Sequence, residues 1–125
     1  RMSRKKTLVL DFDGVIHSYA SGWKGVDVIP DPPVPGALDF IERAVAKFQV
    51  CIYSSRSASL AGRTAMMEWL TDWCKLNRKP DLTPLVLWPQ SKPAAHLSID
   101  DRGYQFNGVW PQLDYIENFQ PWNKT

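Results

Sequence analysis

The sequence predicts an α/β fold: a mainly parallel sheet with helices on both faces. Three observations predict it. Short, mostly apolar runs at 7–10, 49–53, 85–88 and 96–99 have the length of buried strands. Two longer segments carry apolar residues at helical spacing. The two kinds of segment alternate, as strand–helix–strand crossovers require.

The elements follow in order. Thr7 to Leu10 reads as a fully buried strand. Residues 14–34 are rich in Gly, Pro and Ser and carry Tyr19 and Trp23, which suits a long loop or a small hairpin. PGALDFIERAVAKF then places Leu38, Ile41, Val45 and Phe48 on one helical face, with Pro35 suited to the first turn. QVCIY, 49–53, is a second strand. Ser57 or Ser59 can cap a helix over about 60–76, whose stripe is Met66, Met67, Leu70, Trp73 and Cys74. Pro80 and Pro84 bound a turn, LVLW is a third strand and HLSI a fourth. A loop at 102–111 with a short fifth strand around Val109 and Trp110, a short helix around 112–119 and a tail complete the chain.

The 125 residues fit one domain, taken as 2–125 because Arg1 precedes Met2, the expected natural start. The net charge of +2 gives nucleic acid no particular support as a partner, and the basic Arg1, Arg4, Lys5 and Lys6 read as a solvated tail. Cys51 and Cys74 lack metal-ligand spacing and read as buried free thiols in a reducing compartment. No apolar run reaches the roughly 18 residues of a membrane span, and the apolar run before Asp11 is too short for a signal peptide. The expected location is cytoplasmic.

In a parallel sheet the strand carboxyl ends gather on one edge, where ligands bind. Asp11 and Asp13 follow strand one, Ser54 follows strand two, Lys92 follows strand three, and Asp100 and Asp101 follow strand four. Converging acids repel unless a cation neutralises them, and hard oxygen ligands favour magnesium. A lysine and a serine hydroxyl suit phosphoryl oxygens. A carboxylate can attack phosphorus, and a second acid can protonate the leaving oxygen and then activate water.

Four motifs, in order, resemble the haloacid dehalogenase superfamily of phosphotransferases. DFDGV resembles the first, with Asp11 as nucleophile and Asp13 as general acid/base. VCIYSSR resembles the second, with Ser54 as its hydroxyl. SKP supplies the third, Lys92, and LSIDD the fourth. The order separates the chain from receiver domains, in which the lysine comes last.

The resemblance implies a three-layer α/β/α sandwich with a Rossmann-like sheet. It implies Mg2+ held by the Asp11 carboxylate, the Asp13 carbonyl and Asp100, with Asp101 bound directly or through water. Neighbouring strand side chains point to opposite faces, which favours Asp100 over Asp101. Ser54 and Lys92 would hold phosphoryl oxygens, and Gly14 would permit the turn after the first strand. Arg56 would bind substrate phosphate or pair with an acid. Only seven residues separate Lys92 from Asp100, so the lysine must come from a loop.

No segment is long enough for a cap domain, which leaves 15–34 as a flap, expected to be mobile without ligand. The implied activity is magnesium-dependent hydrolysis of a phosphomonoester through an aspartyl-phosphate. The alternatives are a phosphatase for nucleic-acid ends or nucleotides, and a non-catalytic phosphate- or protein-binding module with a retained site. The partner is a phosphorylated small molecule or macromolecular end, and an oligomer partner could cover so open a site. His17 reads as a loop hydrogen-bond donor, His96 as structural, Arg102 as a neutralising neighbour of the acids, and Trp23, Trp110 and Trp122 as packing.

Overall fold

The computed structural model describes residues 4–124. Three parallel strands form the sheet: β1 (Thr7–Leu10), β2 (Gln49–Ile52) and β3 (Leu97–Ile99), in the order β2–β1–β3. Leu8 pairs with Val50 on one side and Leu97 on the other; Leu10 pairs with Ile52 and Ile99. The strand bearing the first acids is therefore central.

Alternation sorts the side chains. Leu8, Leu10, Val50 and Ile52 share a single apolar cluster with Leu38, Ile41 and Ala44 of α1 (Ala37–Val45) and with Met66, Trp69, Leu70 and Cys74 of α2 (Leu60–Leu76). Val9 and Cys51, on the alternate face, are buried outside that cluster. A parallel sheet with helices packed on it is thus present.

Several boundaries differ from expectation for local reasons. The helix α1 starts after Gly36, whose φ of 86° is left-handed, so Pro35 lies before the helix rather than in its first turn. Phe48 lies past the helix end, where its N–H still donates to Ala44 O. Ser59, not Ser57, caps α2 by accepting from Gly62 N at 3.0 Å. Its buried stripe takes Trp69, while Met67 is only half-buried.

The third expected strand shrinks to one bridge, Cys51 to Leu87, made by Leu87 N to Val50 O and Ile52 N to Leu87 O, both 2.9 Å. Pro84 sits in a 3-10 turn at Thr83–Leu85, and Pro89 has no N–H to extend a ladder, so prolines bracket the run on both sides. Among the described residues there is no strand at Val109 and Trp110, which are strongly exposed; a short helix, α3 (Leu113–Glu117), follows. No helix of the described residues is long and apolar enough to cross a membrane. Both cysteines are free and buried.

The 15–34 segment closes at its base like a hairpin. Ser18 N donates to Pro32 O and Val34 N to Ile16 O, at 2.9 and 2.8 Å, with His17 bridging Pro33.

Candidate active site

The parallel ladder continues one residue past β1 and β2: Asp11 N donates to Ile99 O and Tyr53 N to Leu10 O, each at 3.0 Å. The chain then turns, and the side chains at these ends open onto a cleft of about 230 Å3. Asp11, Ser54, Lys92 and Asp100 all line it, together with Tyr53 and Arg102. Four residues expected from four separate segments therefore meet at one edge. Lys92 is exposed and comes from the loop before β3, as the short spacing requires.

Asp11 accepts from the N–H of Phe12 at 2.8 Å. Its carboxyl is nevertheless pushed up to about 7. Burial is the largest cause; the Phe12 N–H works against it, and the Asp101 carboxyl, within hydrogen-bonding reach, raises it further, with Asp13 adding repulsion. The acid that meets Asp11 is thus Asp101. A Cβ on Gly14 would collide with Asp101 Oδ2, which puts the Asp101 carboxylate directly over that glycine. Asp100 lines the cleft but is exposed, and its Oδ1 accepts from Arg102 N at 3.1 Å. The preference for Asp100 assumed that the strand runs through both acids. Here β3 ends at Ile99 and the chain bends at once, so strand alternation does not govern 100 and 101.

Asp13 sits apart from the cleft lining. Its Oδ1 is 2.9 Å from His17 Nδ1, and Arg56 Nε donates to Oδ2 at 3.0 Å and Oδ1 at 3.3 Å. Arg56 is fully buried, so here it serves Asp13 rather than an incoming phosphate. Its Nη1 donates to the carbonyls of Gly25, Val26 and Val28 at 2.7, 2.8 and 3.3 Å, and its guanidinium lies 4.5 Å from the centre of the Trp23 ring. Arg56 therefore ties the 15–34 segment, expected to be a mobile flap, to Asp13.

Ser54 is buried and busy. Its Oγ accepts from Arg56 N at 3.0 Å and its N–H donates to Ser57 Oγ at 2.9 Å, a capping box on the turn Ser55–Ala58. Its Oγ also donates to Met66 Sδ in the core at 3.6 Å; the residue shapes the turn that delivers Arg56 and lines the cleft.

Among the described residues no three His, Cys, Asp or Glu side chains form a ready-made cation shell. Magnesium does not need one, since it keeps several waters and takes few carboxylates. Asp11, partly buried, and Asp101 beside it offer hard carboxylate oxygens, a donor set of the kind magnesium takes.

His17 as a hydrogen-bond donor and Arg56 as the partner of an acid match one expectation each; that both act on Asp13, and that Arg56 also binds the flap, was not read from the sequence. His17 lies four residues after Asp13 and was the available signal. The Arg56 contacts span 28 to 43 residues and leave no local mark. No family model, curated protein or solved structure matches the chain.

Proposed function

We propose that this chain is a magnesium-dependent phosphohydrolase of the haloacid dehalogenase type, capless, completed as a three-layer α/β/α sandwich and acting on a phosphomonoester. The observation that carries the reading is that Asp11, Ser54, Lys92 and Asp100 from four segments line one cleft, with Asp101 against Asp11. A nucleophile, phosphoryl-oxygen donors and an acid pair suited to a cation are the parts that phosphoryl transfer requires.

Asp11, Asp101 and the Asp13 carbonyl would hold the magnesium, with Asp100 near enough to act through water. Bound, the ion supplies charge neutralisation for the carboxylates and the phosphoryl oxygens. Asp11 attacks phosphorus to give an aspartyl-phosphate. Lys92 and Ser54 bind the phosphoryl oxygens. Asp13 gives a proton to the departing oxygen and takes one from the water that releases phosphate.

Phosphate release from a panel of alkyl, aryl, sugar and nucleotide phosphomonoesters, with and without magnesium, tests the reading. Magnesium-dependent turnover of at least one of them is expected. Binding of phosphate or vanadate with no turnover of any would favour the non-catalytic module instead.

A further inference from the structure

Asp13 is surrounded by donors that no motif assigned. His17 is fully buried, with its ring stacked on Phe12 (centroids 5.6 Å apart) and edged by Trp69 and Tyr19, so it is not free to turn. Asp31 N donates to its Nε2 at 3.1 Å. A backbone N–H can only donate, and Asp31 Oδ2 stands farther from Nε2, at 3.6 Å, so Nε2 accepts and the ring proton is placed on Nδ1, 2.9 Å from Asp13 Oδ1. On the other side Arg56 Nε reaches both carboxylate oxygens.

We propose that His17 and Arg56 are positioning residues for Asp13, fixing in one orientation the carboxyl that transfers the proton. A carboxylate offers roughly four lone-pair sites. His17 Nδ1 takes one at Oδ1, and the single Nε–H of Arg56 is shared between the two oxygens, nearer to Oδ2. The carboxyl keeps capacity for a further partner, and its side chain is 14% exposed. The same two residues hold the flap: Nη1 of Arg56 binds the carbonyls of Gly25, Val26 and Val28, and Nε2 of His17 binds Asp31. The flap and the acid/base are therefore positioned together.

What the proton does rests on the phosphohydrolase reading. In the first step the Asp11 oxygen bonds phosphorus while the bond from phosphorus to the departing oxygen breaks. That oxygen keeps the electron pair and takes the proton from the Asp13 carboxyl. In the second step the Asp13 carboxylate takes a proton from water as the water oxygen bonds phosphorus. The bond to Asp11 breaks, and its electrons return to the carboxylate.

The test uses the full chain with enzyme in excess of substrate, so that alcohol release reports the first step alone. Proton donation matters for an alkyl leaving group and little for nitrophenolate. A misplaced acid should therefore slow alkyl phosphate by about 100-fold, the scale of an ångström-sized misplacement. Nitrophenyl phosphate should lose less than about tenfold, because its leaving group departs without a proton. This pattern is expected in His17→Phe. His17→Asn keeps an N–H where Nδ1 stands and should recover most of the alkyl rate. Equal losses with both substrates, or no recovery in His17→Asn, would reduce His17 to a structural role. Nitrogen-15 NMR of the wild-type His17 ring gives a readout independent of turnover. A proton on Nδ1 and none on Nε2 is expected, and a protonated Nε2 overturns the positioning contact. A wild type inactive on every phosphomonoester would sink the phosphohydrolase reading, while the ring NMR would still decide whether His17 holds Asp13.

Discussion

The Asp101 carboxylate lies against the bare Cα of Gly14, in the space that any side chain at 14 would fill. Gly14 also has φ of 83°, a left-handed conformation that costs another residue about 1–2 kcal/mol. Gly14→Ala should therefore destabilise the protein by at least that amount and push Asp101 off Asp11. Denaturant unfolding would measure it. Removing the obstacle in Gly14→Ala with Asp101→Ala should return the collision part of the loss and leave the conformational part. Strictly additive losses would mean that the two residues do not meet.

The Asp11 carboxyl gives the metal-free protein a pH dependence of definite sign. Its folded pKa, about 7, lies above the ordinary 3.8, so the folded state binds the extra proton between those values. Stability falls wherever the folded state binds more protons than the unfolded one. The contribution is fully present below about 3.8 and is lost as pH rises through about 7. Melting temperatures without divalent ions should therefore decline from pH 4.5 to 8 more steeply in the wild type than in Asp101→Asn, which removes the neighbouring charge and acceptor. Equal slopes would show that Asp101 does not raise Asp11.

Magnesium should reverse that loss. A ligand that binds only the folded state stabilises it by RT ln(1 + [L]/Kd), about 2.7 kcal/mol at a hundredfold excess over Kd. At pH 8 added magnesium should raise the melting temperature of the wild type. The response should largely vanish in Asp11→Asn and Asp101→Asn and survive in part in Asp100→Asn, whose exposed carboxyl is engaged with Arg102 N. A response lost only in Asp100→Asn would move the metal to the exposed acid.

Arg56 should control the flap. Lysine keeps the charge but cannot reach both Asp13 and the carbonyls of Gly25, Val26 and Val28, because it lacks the planar fork. Arg56→Lys should speed amide exchange at 22–28 by about tenfold or more, the scale of one lost charge-assisted hydrogen bond. The β1 and β2 amides should be unaffected. Unchanged exchange at 22–28 would show that the flap is held by its own base instead.

Much of this architecture was legible in the sequence because it is local. The β1 run, the apolar spacing of α2 and the acids at strand ends each declare themselves within a few residues. Leu87 was not legible as a lone bridge, because its apolar neighbours look like a strand until Pro84 and Pro89 are counted. Which of Asp100 and Asp101 lies against Asp11 depends on where β3 ends, and a period-two pattern does not say where it stops. The clamp on Asp13 was hidden for another reason. An arginine 43 residues away that fastens a loop to a carboxylate leaves no trace in periodicity or spacing.

The most direct test of the proposed function is nitrophenyl phosphate hydrolysis with magnesium in the wild type and in two variants. The wild type should turn over. Asp11→Asn lacks the nucleophile and should release no nitrophenol in either phase. Asp13→Asn should complete the first step, because nitrophenolate leaves without a proton. Its second step should slow by roughly 100- to 10,000-fold, giving a burst of nitrophenol and then a slow steady rate. Full steady activity in Asp11→Asn, or bursts of equal size in both variants, would contradict the roles given to the two acids.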